Sequence, residues 1–277
     1  METDERDWTS LRTGERVRNL EIEGYVVLPG LLAEDEVRAL GEAAGRIGLR
    51  RSGYTDRQWF AHDIQWDADP LITRTLGAGP AMDFLAALFD DDVICIGMTY
   101  SRSDPGYPGM VLHTDSHPYG SEQLGAKGTS PVIVRVLYYL DDLTPERAPL
   151  RVVPHSHLSL HRDAMPYRRY REHPEERQVL CRAGDAVVIN HRVFHAAGPN
   201  TAGGSRRMLA ASYRPAWARP VRRAAEYHAT ELARLAPELR PLFAEQNRGL
   251  ADTALARWND DLPGAAPGVG PLRWSRP

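Results

Sequence analysis

The sequence predicts a mainly β protein, a double-stranded β-helix (jelly roll, cupin-like) with helices before and after it. Between about residues 91 and 215, roughly eight short apolar runs with strand-like patterns follow one another. Turns that contain glycine or proline separate these runs, which is typical of an antiparallel barrel or jelly roll. The stretches on either side have apolar residues at helical spacing instead. The predicted order is therefore helices, then strands, then helices.

The N-terminal part, residues 1–90, is predicted to be mainly helical. A short apolar strand at 23–30 ends in a Pro-Gly turn. An amphipathic helix is predicted at 31–46 and a second helix at 79–89. Between them, residues 49–70 are rich in Arg, Asp, Trp and His, and we interpret them as an irregular loop that covers a site.

The strand-rich core is predicted at about 91–215, with C-terminal helices within 216–262. The tail at 263–277 is rich in Pro and Gly and is expected to be poorly ordered. The sequence has neither internal repeats nor a linker, so we interpret residues 1–277 as a single domain. The predicted core strands lie at 93–101, 111–115, 131–140, 150–153, 178–181, 186–190, 193–197 and 207–213.

The composition excludes several classes of partner. The chain has 277 residues, of which 42 % are hydrophobic and 26 % charged, and its net charge of −3 gives no basic field for nucleic acid. There is no apolar run of about 18 residues for a membrane span, and the acidic N-terminus does not resemble a signal peptide. We expect a cytoplasmic protein with a small-molecule substrate, and the oligomeric state stays open. Cys95 and Cys181 lie in apolar runs and are predicted to be free thiols rather than a disulfide.

Two histidines and one carboxylate are the candidate metal ligands. His113 and Asp115 are two residues apart, so on a strand both side chains point to one face. His195 lies in a second apolar frame far downstream. Two histidines and a carboxylate on one side of a metal form the facial triad of non-haem Fe(II) oxygenases. Without further motifs, the pattern is also compatible with a surface His-Asp pair and a buried structural histidine.

Several motifs resemble, in the right order, those of the phytanoyl-CoA dioxygenase family of Fe(II)/2-oxoglutarate oxygenases. Motifs in a shared order are far more specific than any one of them. The similarity covers most of the chain, from about residue 17 to residue 220. The motifs are 23–32 (EGYVVLPGLL), 113–117 (HTDSH), 140–142 (LDD), 150–157 (LRVVPHSH), 184–185 (GD), 195–200 (HAAGPN) and Arg206.

The resemblance implies a site for Fe(II) and a site for 2-oxoglutarate, with O₂ as the second co-substrate. His113, Asp115 and His195 would bind the iron. Arg206 would bind the distal carboxylate of 2-oxoglutarate, because a guanidinium offers two parallel donors to a carboxylate. Since related halogenases have a small residue in place of the carboxylate ligand, the presence of Asp115 argues against halogenation.

Two more residues bear on the co-substrate site. Arg207 competes with Arg206, but neighbours on a strand point to opposite faces, and Arg206 matches the family's interval from the histidine. Met98, by its position in its strand, resembles a residue that lines the co-substrate pocket.

Five residues are candidates for substrate binding. Arg135 and Tyr139 share one face of their predicted strand. A charged residue within a strand needs a partner, which would be either an acidic residue across the barrel mouth or a ligand. His62 and Trp66 lie in the predicted early loop, and His117 follows the first metal motif.

Two positions depart from the family pattern. His155 stands where the family usually has glycine, and Ala148-Pro149 replaces an Asn-Gly type turn. We interpret both as structural substitutions or, for His155, as a residue that faces the pocket.

The function expected from the resemblance is that of an Fe(II)/2-oxoglutarate-dependent dioxygenase in bacterial secondary metabolism, such as antibiotic biosynthesis. Hydroxylation of a small molecule is the default reaction, with cyclisation, epimerisation or desaturation as alternatives on the same scaffold. A different hypothesis is a jelly-roll isomerase or hydrolase that uses the metal as a Lewis acid without 2-oxoglutarate. Arg206 discriminates between the two, because only the oxygenase needs it.

Overall fold

The computed structural model of the chain is mainly β, and it describes residues 2–66, 68–77, 79–90, 92–115, 133–158, 170–216, 218 and 229–243. Its strands are β1 (Glu2–Thr3), β2 (Tyr25–Leu28), β3 (Arg50–Arg51), β4 (Gln58–His62), β5 (Val93–Ser103), β6 (Val134–Tyr139), β7 (Leu150–Val153), β8 (Arg177–Val179), β9 (Ala186–Asn190), β10 (Phe194–Ala197) and β11 (Arg206–Pro215). Its helices are α1 (Thr13–Glu23), α2 (Glu34–Ala44), α3 (Pro70–Arg74), α4 (Gly79–Phe89), α5 (Ala229–Arg234) and a 3-10 helix (Pro237–Phe243).

Within the described residues, the larger sheet has the strand order β2-β9-β6-β11-β5-β4-β3, and all its neighbouring strands are antiparallel. The long strand β11 lies at the centre, between β6 and β5. Its register places Ser212 opposite both Arg135 and Gly97. Six residues earlier along β11, Arg206 lies opposite Ser103.

The smaller sheet has the order β1-β8-β7-β10, with β1 parallel to β8 and the other pairs antiparallel. Leu150, Val152 and Val179 of this sheet belong to the same buried hydrophobic cluster as Val187 and Ile189 of the larger sheet. Two sheets that pack face to face around a shared core form the predicted jelly roll, so the predicted fold class is confirmed.

The two faces of the larger sheet have different surroundings. Residues that are paired across strands, or that are two apart along a strand, share a face of the sheet. Arg135, Tyr139 and Arg206 therefore lie on the same face, which we call the inner face. On the opposite, outer face, the hydroxyls of Tyr138 and Tyr213 donate hydrogen bonds of 3.1 and 2.8 Å to two carbonyl groups just after α3. The helices therefore cover the outer face.

The predicted N-terminal helices are confirmed, α2 within 31–46 and α4 at 79–89. Helix α1 is capped at its C-terminal end by Gly24, whose φ of 85° is the left-handed conformation that glycine adopts without strain. A side chain there would also clash, since an added Cβ would lie 2.7 Å from atoms of both His157 and Val193. In the described part of the chain, no helix is both long and apolar enough to cross a membrane.

Two predictions about local structure are wrong. The segment predicted as an irregular loop, 49–70, contains β3, β4 and the start of α3, because β4 pairs with β5 along its whole length. The segment 111–115 is not a strand, and only isolated bridges at Leu112 and His113 join it to other segments. Most of the predicted C-terminal helical region and the whole tail lie outside the described residues. Both cysteines are free thiols, as predicted.

The Gly184-Asp185 motif has a structural role. Gly184 has a φ of 93° and its carbonyl accepts a hydrogen bond from the N–H of Leu32 at 2.9 Å. The carboxylate of Asp185 accepts hydrogen bonds from the N–H groups of Gly30 and Arg182 at 2.7 and 2.8 Å. The motif therefore joins the N-terminal segment to the turn before β9.

Candidate active site

His113 and His195 are neighbours because their main chains pair. The N–H of His113 donates to the carbonyl of His195 at 2.9 Å, and the N–H of His195 donates to the carbonyl of His113 at 2.8 Å. This bridge brings the centroids of the two imidazole rings to 4.6 Å. Both residues are buried. Main-chain hydrogen bonds between β10 and the segment around His113, which is not itself a strand, therefore bring the two predicted histidine ligands together.

Asp115 completes the group. Its N–H donates to the carbonyl of His191 at 3.0 Å, which fixes the main chain two residues beyond His113. Its Oδ1 lies 3.7 Å from Nε2 of His113, and its Oδ2 lies 3.7 Å from Nε2 of His195. One ligand atom from each of the three residues lies within 4.8 Å of the others. The arrangement could hold a metal ion.

The imidazole rings are oriented for metal binding. Nδ1 of His113 lies 3.1 Å from the carbonyl oxygen of Val111, and Nδ1 of His195 lies 3.0 Å from that of Val193. Because a carbonyl only accepts, we assign the proton of each ring to Nδ1. Nε2 is then left with a lone pair that points toward Asp115. Such a second hydrogen bond fixes the tautomer and the ring orientation of a metal-binding histidine.

Arg135 pairs with the carboxylate of this group. Its Nη1 donates to Oδ2 of Asp115 at 2.7 Å, and the two side chains are 23 % and 10 % exposed. Burial by itself raises the pKa of Asp115, but Arg135, followed by His195 and His113, holds that pKa well below its usual range. Asp115 is therefore an anion at neutral pH. Of the two partners considered for Arg135, the structure shows an acidic residue, and that residue is Asp115.

Arg206 is a buried cation that forms no ion pair with any of the described carboxylates. It is 4 % exposed, and its Nη1 contacts are Oγ of Ser101 at 3.4 Å and Sδ of Met208 at 3.7 Å. Its Nε has no hydrogen-bond partner, and no carboxylate of the described residues forms an ion pair with it. Arg207, on the outer face, instead donates to both oxygens of Asp141, at 3.0 and 2.9 Å. Since an unpaired buried charge is costly, Arg206 calls for an anionic ligand.

Tyr139 lies beside Arg206 on the inner face, opposite Met208 in the register. It is 2 % exposed, and its hydroxyl makes no hydrogen bond with any described residue. Burial raises the pKa of Tyr139, and Arg206 and, more weakly, Arg135 oppose the shift. The hydroxyl is therefore neutral and lies within electrostatic range of both guanidinium groups.

The structure does not bring Met98 and Trp66 to this site, so the predictions for both are corrected. Met98 pairs with Ala211, which pairs with Val136, and these residues alternate with those of the inner face. Its side chain is fully buried on the outer face. Trp66 packs against Phe243 of the 3-10 helix, with ring centroids 5.1 Å apart. Both residues take part in the packing of helices on the sheet.

His62 lies on the inner face at the end of β4, opposite Thr99, and its ring stacks on Phe60 at 5.9 Å. Asp63 follows with a φ of 53°, and its Oδ1 lies 3.3 Å from where a Cβ on Gly97 would be. The left-handed turn interrupts the alternation of the strand, so the side chains of His62 and Asp63 lie on the same side of the sheet.

Two other positions were singled out in the sequence. His117 lies outside the described residues, so its role stays a prediction. His155 is an exposed residue with a φ of 64°, and its Nδ1–H donates to the carbonyl of Ile22 at 2.9 Å. The backbone of His155 is left-handed, a conformation that glycine adopts without strain, which explains why the family usually has glycine at this position. Ala148, the other departure from the family pattern, also has a positive φ of 44°.

Sequence reasoning missed Ser101, the hydroxyl next to Arg206. A signal was present, because Thr99, Ser101 and Ser103 are small polar residues at alternate positions of one strand and so mark a polar face. The carbonyls of Val111 and Val193, which orient the histidine rings, gave no signal, since main-chain groups are the same in every residue.

A facial His-Asp-His set, together with a buried arginine that has no carboxylate partner among the described residues, is what a non-haem iron, 2-oxoglutarate-dependent oxygenase requires, and the chain is of that class. The family model for phytanoyl-CoA dioxygenase (PhyH) matches residues 20–208. The chain therefore belongs to the phytanoyl-CoA dioxygenase family.

Several solved structures have a similar fold. HygX from Streptomyces hygroscopicus, with nickel, 2-oxoglutarate and hygromycin B bound, is 20 % identical with a TM-score of 0.61, covering 73 % of this chain and 87 % of that chain. The epimerase SnoN, in complex with Fe³⁺, α-ketoglutarate and nogalamycin RO, is 21 % identical with a TM-score of 0.62, covering 74 % and 84 %. The carbocyclase SnoK from nogalamycin biosynthesis is 21 % identical with a TM-score of 0.62, covering 84 % and 94 %. These likenesses show the fold.

Proposed function

We propose that this oxygenase oxidises a C–H bond of a small molecule in bacterial secondary metabolism, with hydroxylation as the default reaction. The observation that carries the proposal is the buried guanidinium of Arg206, which has no carboxylate partner among the described residues. It lies on the same sheet face as Arg135, the partner of Asp115. A metal-dependent isomerase or hydrolase would have no use for an unpaired buried cation at this place.

The metal and co-substrate would be held by four residues. His113, Asp115 and His195 would bind Fe(II) through the two Nε2 atoms and a carboxylate oxygen. Bound Fe(II) would supply the oxidising chemistry with O₂ as the oxidant, while 2-oxoglutarate is converted to succinate and CO₂. Arg206 would bind the distal carboxylate, where a planar guanidinium gives two parallel hydrogen bonds. The Ser101 hydroxyl at 3.4 Å from Arg206 is placed to reach the same carboxylate.

Charge balance supports this assignment. Among the described residues, a divalent metal, Arg135 and Arg206 would face one carboxylate at the centre of the site, that of Asp115. Burial makes such an excess of positive charge costly. A dianion such as 2-oxoglutarate supplies the compensating charge, and its two carboxylates fit a site that has a metal at one end and a guanidinium at the other.

The substrate would lie on the inner face beyond Arg135. There Ser212 and Gly97 lie opposite each other in the sheet, and the Asp63 side chain lies over Gly97, with its Oδ1 3.3 Å from where a Cβ would be. His62 lies on the neighbouring strand β4, opposite Thr99. We therefore assign substrate contacts to His62 and Asp63 rather than to Tyr139, which is buried beside Arg206.

Similar structures support the metabolic setting. HygX was crystallised with hygromycin B and SnoN with nogalamycin RO, which are antibiotic-related molecules. SnoN is an epimerase and SnoK a carbocyclase. Epimerisation, cyclisation and desaturation are accordingly the alternative reactions to hydroxylation, because they depend on how the substrate is placed rather than on a different metal site.

The test is succinate release from 2-oxoglutarate with Fe(II) and O₂, for wild type and His195→Ala, with a panel of antibiotic-pathway intermediates. We expect wild type to release succinate, more so with an accepted substrate, and the variant to release none. Mass spectrometry of the product distinguishes a gained oxygen atom from a loss of two hydrogens or an unchanged mass. Equal, background-level release by both proteins with and without the panel would refute the proposal.

A further inference from the structure

We propose that Arg135 is a positioning residue of the metal site, which holds Oδ2 of Asp115 so that only Oδ1 is offered to the metal. This inference rests on the proposed function, since it takes Asp115 as a ligand.

The Arg135–Asp115 pair is anchored on both sides. The N–H of Asp115 donates to the carbonyl of His191 at 3.0 Å, and the N–H of His191 donates to the carbonyl of Ile133, also at 3.0 Å. Ile133 directly precedes β6, the strand that carries Arg135. The guanidinium and the carboxylate therefore project from segments that are themselves joined by main-chain hydrogen bonds, so their meeting does not depend on two freely rotating surface chains.

Within the described ranges, Arg135 pairs with one anion. Among the described residues, Asp115 is the partner of its ion pair, and its Nε makes no hydrogen bond. It stands within β6, where its register neighbours Ser212 and Ile189 are uncharged. A charged side chain in the middle of a half-buried strand is retained for its partner, which here is the predicted metal ligand.

The two oxygens of Asp115 have different surroundings. Oδ1 lies 3.7 Å from Nε2 of His113. Oδ2 lies 3.7 Å from Nε2 of His195, but only 2.7 Å from Nη1 of Arg135. A carboxylate that binds a metal through both oxygens occupies two coordination positions. With Oδ2 retained by Arg135, Asp115 occupies one, and the facial triad leaves open positions for the co-substrates.

Two roles of Arg135 lead to opposite changes in metal affinity. If it acted only as a positive charge near the site, it would repel a divalent cation, and its removal would tighten metal binding. If it orients the ligand, its removal frees Asp115 to rotate and weakens metal binding. The loss of an outer partner of this kind typically costs about 10–100-fold in metal affinity.

The experiment is a calorimetric titration of the metal-free, full-length protein with Co²⁺, for wild type, Arg135→Met and Arg135→Lys. We expect the Kd for Co²⁺ to rise about 10–100-fold in the methionine variant, with a changed visible spectrum of the bound Co²⁺. The lysine variant should fall between the two, because it keeps the charge but loses the planar fork. Arg102→Met is the matched control, since Arg102 pairs with Asp104 at 2.9 Å on the outer face, and it should bind Co²⁺ as wild type does.

Unchanged or tighter Co²⁺ binding by Arg135→Met would overturn the inference. It would also be overturned if this variant bound Co²⁺ and 2-oxoglutarate normally and showed only a raised KM for the substrate. Should the methionine variant fail to fold by circular dichroism, the lysine variant decides, and wild-type affinity and spectrum there would overturn it. If wild type itself binds neither Co²⁺ nor, in its presence, 2-oxoglutarate, the proposed function fails as well. These outcomes separate an error about Arg135 from an error about the whole site.

Discussion

Replacing Arg206 by methionine removes the cation assigned to the distal carboxylate of 2-oxoglutarate while keeping an apolar side chain of moderate length. Arg206 is 4 % exposed, so water would replace the lost donor poorly. Leaving a buried charge without its partner costs about 3–5 kcal/mol. Since about 1.4 kcal/mol corresponds to a factor of ten, the Kd for 2-oxoglutarate should rise by about two to four orders of magnitude.

The assay is a calorimetric titration of the Ni²⁺-loaded protein with 2-oxoglutarate. Arg207→Met is the matched control, because Arg207 is the neighbouring residue but pairs with Asp141 on the outer face. It should bind 2-oxoglutarate as wild type does. As a second probe, 2-oxobutyrate lacks the distal carboxylate and should bind wild type and Arg206→Met with equal, weak affinity. The assignment would be refuted if Arg206→Met and Arg207→Met lost affinity for 2-oxoglutarate to a similar extent. It would also be refuted if 2-oxobutyrate bound Arg206→Met more weakly than wild type.

Two further predictions concern stability. Burial lowers the pKa of His157 from 6.5 to about 4. The contribution of the neutral ring to the free energy of unfolding is therefore complete above pH 6.5 and is lost as the pH falls toward 4. His157→Gln keeps a donor for the Glu21 carbonyl but does not titrate. Between pH 6.5 and pH 4, the free energy of unfolding of this variant, measured with urea, should therefore fall by about 3 kcal/mol less than that of wild type. Gly184→Ala should cost about 3 kcal/mol in the same assay, because a left-handed φ of 93° is combined with a Cβ 2.5 Å from the carbonyl of Leu32. Gly30→Ala, with a φ of 61° and no described atom within 4 Å of the Cβ, should cost only about 1 kcal/mol, and equal losses in the two variants would contradict the clash at Gly184.

The parts of the fold that could be predicted are those whose pattern is local. The mainly apolar runs at 150–153 and 186–190 are strands with the predicted bounds, and α4 begins and ends where its apolar spacing does. β4 was missed because Gln58–His62 is short and mixed in character, and its conformation depends on pairing with β5, which is remote in sequence. Tertiary hydrogen bonds of this kind leave no local pattern.

For the candidate site, the sequence indicated residue types but not faces. Alternation places Met98 and Thr99 on opposite sides of β5, but it does not say which side is the inner one. Here the larger apolar residues face the helices, and the small polar ones face the site, so the prediction for Met98 chose the wrong side. The pairing of Arg135 with Asp115 could likewise not be predicted from the sequence, because it depends on the position of segment 111–115, which lies outside the sheet.

The central claim is that the His-Asp-His group binds Fe(II) and that 2-oxoglutarate binds only on that metal. The most direct measurement is an anaerobic titration of wild type and His195→Ala with Fe(II) and 2-oxoglutarate, followed by the visible charge-transfer absorption of the iron–2-oxoacid chelate. We expect the band in wild type only when both Fe(II) and 2-oxoglutarate are present, and no band in His195→Ala. A wild type without the band, or a variant that shows it at full strength, would contradict the claim.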